Sequence, residues 1–121
     1  MDIAKYKANA DETVIAPMME FLECDECDDD CGYTAKDVEK CRKLIYGYLD
    51  ALGAMEAADD SAIMQQVKKL VLALNRLNEK TDFALIETDA REALWELIQS
   101  SAIERGLKSA SDDITEEWRD W

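Results

Sequence analysis

Residues 61–80, SAIMQQVKKLVLALNRLNEK, carry the strongest helical pattern in the chain. Apolar side chains recur there at intervals of three and four residues, which places them on one face of an α-helix. They are Ile63, Val67, Leu70, Val71, Leu74 and Leu77. Asp59, Asp60 or Ser61 can cap its N-terminus, because their side-chain oxygens accept hydrogen bonds from backbone N–H groups. The sequence therefore predicts a buried helix that ends near Lys80 and lies at the centre of the core.

A second amphipathic helix is predicted upstream of this one. The residues Thr34-Ala35-Lys36-Asp37 form a variant of the capping box, with Asp in the place that Glu or Gln usually takes. We expect Gly53 to end this helix, because glycine is common at helix C-termini. The apolar stripe of the helix consists of Val38, Cys41, Ile45, Tyr48, Leu49 and Leu52.

A further helix is predicted near the N-terminus. Pro17 fits the first turn of a helix and would kink an earlier one, so we expect this helix to begin near Asp11 or Ala16. We expect it to end near Cys24, because a longer helix would turn carboxylates onto its apolar face, where burial is costly. Residues 25–33 are a predicted loop with a turn at its glycine. The apolar face of the helix contains Val14, Met18, Phe21 and Leu22.

The C-terminal half predicts a fourth main helix and two shorter elements. Thr88 or Asp89 caps the helix and Gly106 closes it. The short apolar segment 83–86 is expected to form a helical turn packed under the bundle. The inner face of the fourth helix holds Ala90, Leu94, Leu97, Ile98 and Ser101.

The C-terminal tail carries two tryptophans at helical spacing. Ile114, Trp118 and Trp121 follow one another at intervals of four and three residues. This spacing predicts a short terminal helix whose tryptophan side chains dock on the body of the protein. The alternative is that the pair of tryptophans contacts a partner.

The composition agrees with a helical fold. One Pro and four Gly in 121 residues are too few for a turn-rich β fold, and a hydrophobic fraction of 48% argues against disorder. The length suits one domain with a sizeable core. We therefore expect residues 1–121 to form a single all-α domain. Its predicted architecture is a compact bundle of about four main helices plus a short C-terminal helix.

The charge of the chain excludes several classes of partner. With 28 acidic and 14 basic residues, the net charge is −14. Such a chain is repelled by nucleic-acid phosphates and by anionic membrane surfaces. Neither a signal peptide nor a transmembrane segment is recognisable, so we expect a cytoplasmic protein. A basic protein partner suits this charge better.

The four cysteines form the only cluster with clear metal-binding potential. Cys24, Cys27, Cys31 and Cys41 are spaced C-x2-C-x3-C-x9-C, and the chain has no histidine. Four thiolates could hold zinc. Against this, the second C-x2-C pair of the usual zinc pattern is missing, and Cys41 lies on a predicted buried stripe. We therefore expect structural thiols and no cofactor, with zinc as the alternative.

Acidic residues concentrate in two places. The run Asp28, Asp29 and Asp30 departs from the spacing of a calcium-binding EF-hand loop and is interpreted as a solvated loop. The start of the fourth helix carries Glu87, Asp89, Arg91 and Glu92, which could form a binding edge. A hydrolase that uses Glu87, Asp89 and Glu92 for acid–base chemistry is a more distant alternative. The purely structural interpretation is a capped helix with acids in its first turn.

Three segments resemble a group of small acidic bacterial proteins. They are LNRLNE at 74–79, LIETDARE at 85–92 and DITEEWRDW at 113–121. The similarity covers roughly the C-terminal half and leaves out the cysteine cluster. It implies a bacterial origin and an all-α body, and it carries no activity.

The sequence thus predicts a non-enzymatic acidic helical protein that binds a basic protein partner, in the manner of immunity proteins or antitoxins. The alternative is a zinc-binding structural or metal-sensing module built on the cysteines. The candidate partner-binding residues are Asp28, Asp29, Asp30, Glu87, Asp89, Arg91, Glu92, Trp118 and Trp121.

Overall fold

The computed structural model describes residues 2–23, 32–56, 59–108 and 114–121. Within these ranges the regular secondary structure is helical and includes no strand, which confirms the predicted all-α bundle. The elements are α1 (Ile3–Ala10), a π-helical segment (Asp11–Ile15), α2 (Ala16–Glu23), α3 (Ala35–Ala54), α4 (Asp60–Lys80) and α5 (Thr88–Arg105).

The N-terminal helix begins earlier than predicted. The Asp2 carboxylate caps it by accepting a hydrogen bond from the Lys5 N–H at 3.0 Å. The helix then continues through the π-helical segment, where the Ala16 N–H donates to the Asp11 carbonyl five residues back. A widened turn just before Pro17 relieves the clash between a proline ring and the preceding turn. The predicted start at Asp11 or Ala16 was therefore wrong. Glu23 is the last residue of α2 that the structure describes, and the predicted end near Cys24 lies outside the described residues.

One line of side chains faces the core along the whole N-terminal helical stretch. Buried residues follow at intervals of four, as Tyr6, Ala10, Val14 and Met18. Phe21 lies beside this line and remains 46% exposed, although the sequence pattern placed it on the buried face. The reason is its position at the end of the bundle, where the ring of Tyr33 is its aromatic neighbour.

Helices α3 and α4 form the central pair of the bundle. The predicted capping box is present: the Thr34 N–H donates to the Asp37 carboxylate at 3.0 Å, and the Asp37 N–H donates to the Thr34 hydroxyl. Asp59 caps α4 by accepting from the Ala62 N–H at 2.7 Å. Every apolar residue predicted for the two stripes is buried. The Lys80–Asp37 ion pair, at 3.6 Å, joins the end of α4 to the start of α3, so the two helices run antiparallel.

The C-terminus of α3 differs from its prediction. The helix continues past Gly53 to Ala54, and Gly53 instead permits a close approach by Ile3, whose side chain occupies the place of a β-carbon. Arg105 of α5 closes this end of the helix. Its guanidinium donates to the carbonyl oxygens of Leu52 at 2.6 Å and Met55 at 2.5 Å.

The connection between α4 and α5 is not the predicted helical turn. Asp82 and Phe83 have φ values of 55° and 64°, in the left-handed region, which interrupts helical geometry. Asn78 organises the connection from within the core. Its carbonyl oxygen accepts from the Phe83 N–H at 2.8 Å, and its side chain accepts from the Ile86 N–H at 3.0 Å.

Helix α5 closes the core as predicted, with small differences at its start. Its N-cap is Glu87, one residue before the earlier of the two candidates, and Gly106 ends it with φ 125°. The predicted inner face is buried except for Ala90, which is half-buried. The buried Tyr48 hydroxyl donates to the Ile98 carbonyl at 3.1 Å and lies 2.9 Å from the Ser101 hydroxyl.

The tail docks on the bundle, as predicted, but as turns and not as a helix. The side chain of Asn75 on α4 donates to the Trp118 carbonyl at 2.7 Å and accepts from the Asp120 N–H at 3.0 Å. Ile114 is buried, and the rings of Trp118 and Trp121 are half-buried against the core. One asparagine thus holds the tail by two hydrogen bonds.

Candidate functional site

A cavity of about 240 Å³ opens at the end of the bundle where α2 meets the start of α5. Three separate stretches of the chain contribute to it: α2, the residue before the α3 capping box, and the segment that leads into α5. Its walls combine apolar and aromatic side chains with carboxylates. The lining residues are Pro17, Met18, Phe21, Tyr33, Ala84, Leu85, Glu87, Thr88, Asp89 and Ala90. We call this cavity the aromatic–acidic pocket.

Gly32 allows the three stretches to meet. Its φ is 85°, a conformation that glycine adopts without steric cost. A β-carbon at this position would lie 2.5 Å from the β-carbon of Ala84. The chain therefore needs glycine here both for its turn and for the contact with the α4–α5 connection. The prediction of a turn at this glycine is confirmed, and the turn places Tyr33 against α2.

Tyr33 forms the buried wall of the pocket. Its ring is 8% exposed, and its hydroxyl donates to the Met18 carbonyl at 3.1 Å. Burial, with a smaller contribution from the negative charge of Glu87, raises the pKa of Tyr33 above its ordinary value. The phenol therefore stays protonated at neutral pH and keeps its hydrogen bond. Its ring stacks on the ring of Phe21, with centroids 5.9 Å apart and planes inclined by 20°.

The carboxylates lie at the mouth of the pocket, on the first residues of α5. Glu87 is the N-cap residue, but its carboxylate makes no capping hydrogen bond, and Asp89 follows in the first turn. Both are exposed. The N-terminus of a helix favours nearby negative charge, so this position holds two carboxylates at little cost. Arg91 and Glu92 are also exposed, but they do not line the pocket.

The arrangement suits a long side chain with a cationic end. Lysine and arginine carry apolar stems that pack on apolar surface while the charged group stays near water or acids. The exposed face of Phe21 can also attract a cation through its π electrons. Of the predicted candidates, the pocket brings together Glu87 and Asp89. It adds Phe21, Tyr33 and Pro17, which sequence reasoning did not assign to a site.

The predicted metal ligands divide between the core and the rest of the chain. Cys41 is fully buried in α3, and burial raises the pKa of its thiol to about 12. This thiol is therefore protonated and acts as a small apolar side chain, as its stripe position indicated. Cys24, Cys27 and Cys31 lie outside the described residues, as do Asp28, Asp29 and Asp30. The zinc site thus stays a prediction.

The two predicted tail residues lie away from the pocket. Trp118 and Trp121 pack on the body, and the Lys68 ammonium lies 6.0 Å from the centre of the Trp118 ring. The indole N–H of Trp121 is buried and has no hydrogen-bond partner among the described residues. The two tryptophans therefore pack against the core, as the docking prediction expected. Contact with a partner was the alternative.

Comparison with protein-family models, curated proteins and solved structures finds no match for this chain. Among the described helices, none combines the length and the apolar character that a membrane span requires. The function must therefore be inferred from the surface of the protein itself.

Proposed function

We propose that this chain is a non-enzymatic binding protein that holds a basic protein partner through its aromatic–acidic pocket. The observation that carries the proposal is the stacked pair of Phe21 and Tyr33 beside the carboxylates of Glu87 and Asp89. A lysine or arginine of the partner would lie along Phe21 and direct its charge toward the acids. Neutralisation of a basic partner, as immunity proteins or antitoxins perform it, fits this chemistry.

The backbone beside the pocket supports the same conclusion. Phe83 is 52% exposed and has a φ of 64°, and it directly precedes Ala84 of the pocket wall. Bulky residues rarely adopt the left-handed region, and such strain concentrates where side chains are held for binding. Phe21 and Phe83 are therefore two large exposed aromatic side chains at one end of the bundle. Aromatic residues of this kind are enriched in protein interfaces.

The charge of the chain acts on the rate of association. A net charge of −14 attracts a basic protein over a distance of about one Debye length, ~8 Å at physiological salt. Binding by this mechanism should weaken as salt rises, mainly through slower association. The pocket then determines which orientation of the partner is held.

The proposal is tested by affinity capture from the native host extract with three purified forms of the full chain. They are the wild type, a pocket variant carrying Glu87→Gln and Asp89→Asn, and a control variant carrying Glu92→Gln and Glu96→Gln. The control removes the same charge from exposed residues of the same helix that do not line the pocket. We expect a basic protein that the wild type and the control retain at low salt and that the pocket variant loses.

A second comparison separates the pocket from general acidity. Phe21→Ala leaves the net charge unchanged, and we expect it to weaken the same complex by roughly tenfold, a typical loss for an aromatic interface residue. Capture that is equal for the pocket variant and its control, or that is unaffected by Phe21→Ala, would show that the pocket is not the binding site.

A further inference from the structure

A second cavity, of about 340 Å³, lies along the outer surface of the central helix pair α3–α4. Its walls come from both helices, and it has the opposite charge from the rest of the molecule. Among the described residues that line it, Lys43, Lys69 and Arg76 are cations and none is an acid. We call it the cationic groove.

The cations of the groove are not used by the fold. Lys43, Lys69 and Arg76 are exposed, and none of them forms an ion pair within the part of the chain that the structure describes. By contrast, Arg42 on the other side of α3 is bonded to Asp11 at 3.1 Å. Although the chain has twice as many acids as bases, the described residues that line this groove include three cations and no acid.

The cationic surface extends beyond the groove at one end. Lys40 lies one turn before Lys43 on α3, and Lys80 lies one turn after Arg76 on α4. The neighbouring Lys80 lowers the pKa of Lys40. The Lys80 ammonium lies 3.6 Å from the Asp37 carboxylate.

The floor of the groove contains a glycine that the fold does not explain. Gly47 lies in the middle of α3, where glycine destabilises a helix relative to alanine. A β-carbon added there would meet nothing within 4 Å, so no intramolecular contact requires its absence. This contrasts with Gly32 and Gly53, where neighbouring side chains occupy the space. A glycine of this kind is expected where the backbone of another molecule approaches closely.

The rest of the lining is mostly apolar. Ala51 and Ala73 are its small side chains, and Leu44, Tyr48 and Leu70 supply larger apolar surface. Small residues flanked by leucines form the kind of channel into which one face of an amphipathic helix fits. A nucleic acid would use the cations but would leave this apolar floor without a partner.

We propose that the cationic groove binds an acidic amphipathic helix of a protein partner, with its apolar face against Gly47, Ala51 and Ala73. Glutamate or aspartate side chains on the flanks of that helix pair with Lys43, Lys69 and Arg76. This surface is separate from the aromatic–acidic pocket and selects the opposite charge. One molecule could therefore join a basic protein to an acidic one.

The test uses the full chain labelled with ¹⁵N and a synthetic, end-blocked helical peptide with leucines along one face and glutamates on both flanks. We expect the peptide to shift the amide signals of Gly47, Ala51 and Ala73. The same peptide with lysines in place of the glutamates should not do so. Shifts that lie elsewhere, no shifts at millimolar peptide, or equal binding of the lysine peptide would overturn the proposal.

Variants identify the groove as the site. Gly47→Leu should remove the shifts while leaving the protein folded, because the position is open and leucine favours a helix. The double variant Lys69→Gln, Arg76→Gln should raise the Kd roughly tenfold. Lys68→Gln removes one charge from the same helix outside the groove, because Lys68 lies near the Trp118 ring; it should leave the Kd unchanged. Binding that survives Gly47→Leu would contradict the proposal.

Two further outcomes would replace the acidic helix with another occupant. If the amide signals of the groove shift with protein concentration alone, the occupant is a second copy of this chain. If a single-stranded oligonucleotide shifts them more strongly than the glutamate peptide at equal concentration, the groove recognises phosphate. Either result overturns the assignment, and neither depends on the pocket, since Phe21→Ala should leave peptide binding in the groove unchanged.

Discussion

The inner and outer surfaces of the α3–α4 pair differ in how far packing determines their residues. On the inner surface, Leu49 and Leu74 are fully buried, and the packing of the core accounts for their identity. On the outer surface, Gly47 and the nearby cations contribute nothing visible to the fold, and Gly47 costs helix stability. The same two helices thus carry residues whose identity the packing determines and residues whose identity the described packing does not determine.

The largest expected effect lies on the inner surface. Leu74→Ala should lower the free energy of unfolding by about 2–5 kcal/mol, because it removes a fully buried side chain and leaves a cavity. Denaturant unfolding followed by circular dichroism measures the loss. Leu72→Ala, a half-buried leucine on the same helix, is the control and should cost clearly less. Equal losses at the two positions would mean that the full burial of Leu74 contributes no more stability than the partial burial of Leu72.

A smaller loss of stability is expected at Asn78, a buried polar residue of the core. Asn78→Ala should cost about 1–3 kcal/mol, because the Ile86 N–H is buried and would lose its hydrogen-bond acceptor. Thermal unfolding compared with Asn75→Ala separates the two asparagines. Asn75 holds only the tail, through Trp118 and Asp120. A larger loss of stability at Asn75 than at Asn78 would mean that docking of the tail stabilises the fold more than the hydrogen bond of Asn78 in the core does.

The capping box should make stability depend on acid pH. Burial acts to raise the pKa of Asp37, but the hydrogen bonds from Thr34 prevail, and the pKa in the folded protein is lowered. A lowered pKa stabilises the fold above the unfolded value, about 3.9 for aspartate, and this stabilisation is lost as the pH falls through the folded pKa. Asp37→Asn should therefore flatten this part of the pH–stability curve. A curve with an unchanged slope below about pH 4 would contradict the assignment.

The smallest expected effect has the opposite sign and lies in the groove. Gly47→Ala should raise the free energy of unfolding by roughly 0.5–1 kcal/mol, because alanine is the better helix former and the added methyl group meets no atom. The control is Gly53→Ala, where Ile3 already occupies the space; it should destabilise. If Gly47→Ala also destabilises, an internal role for this glycine would remove the contrast between the two surfaces.

Periodic patterns predicted the inner surface well. The stripes of α3 and α4 and their caps follow from local patterns, because helical spacing marks Leu74 as a core residue and the hydrogen bonds of Thr34 join residues three positions apart. The start of α1 was missed because Pro17 was interpreted as a first-turn residue. A π-helical turn upstream allows a longer helix, and a simple 3.6-residue pattern does not predict it.

The candidate sites were much harder to predict. The charges of Glu87 and Asp89 marked them as candidates in the sequence. The stack of Phe21 and Tyr33 could not be predicted, because it depends on the turn at Gly32 that brings distant stretches of the chain together. The roles of Asn78 and Arg105 are likewise set by partners across a turn or on another helix. The cationic groove could not be found from net charge, because an overall excess of acids conceals a local absence of them. The one local signal, a glycine inside an otherwise regular helix, lies at Gly47.

The contact of Arg105 with the end of α3 bears on the order in which the chain can become structured. Arg105 lies about fifty residues after the carbonyl groups of Leu52 and Met55 that it closes. While the protein is being synthesised, α3 therefore emerges long before its last turn can be completed. In the finished protein, the same bonds make opening of that turn depend on release of α5, which joins two distant helices in one cooperative unit.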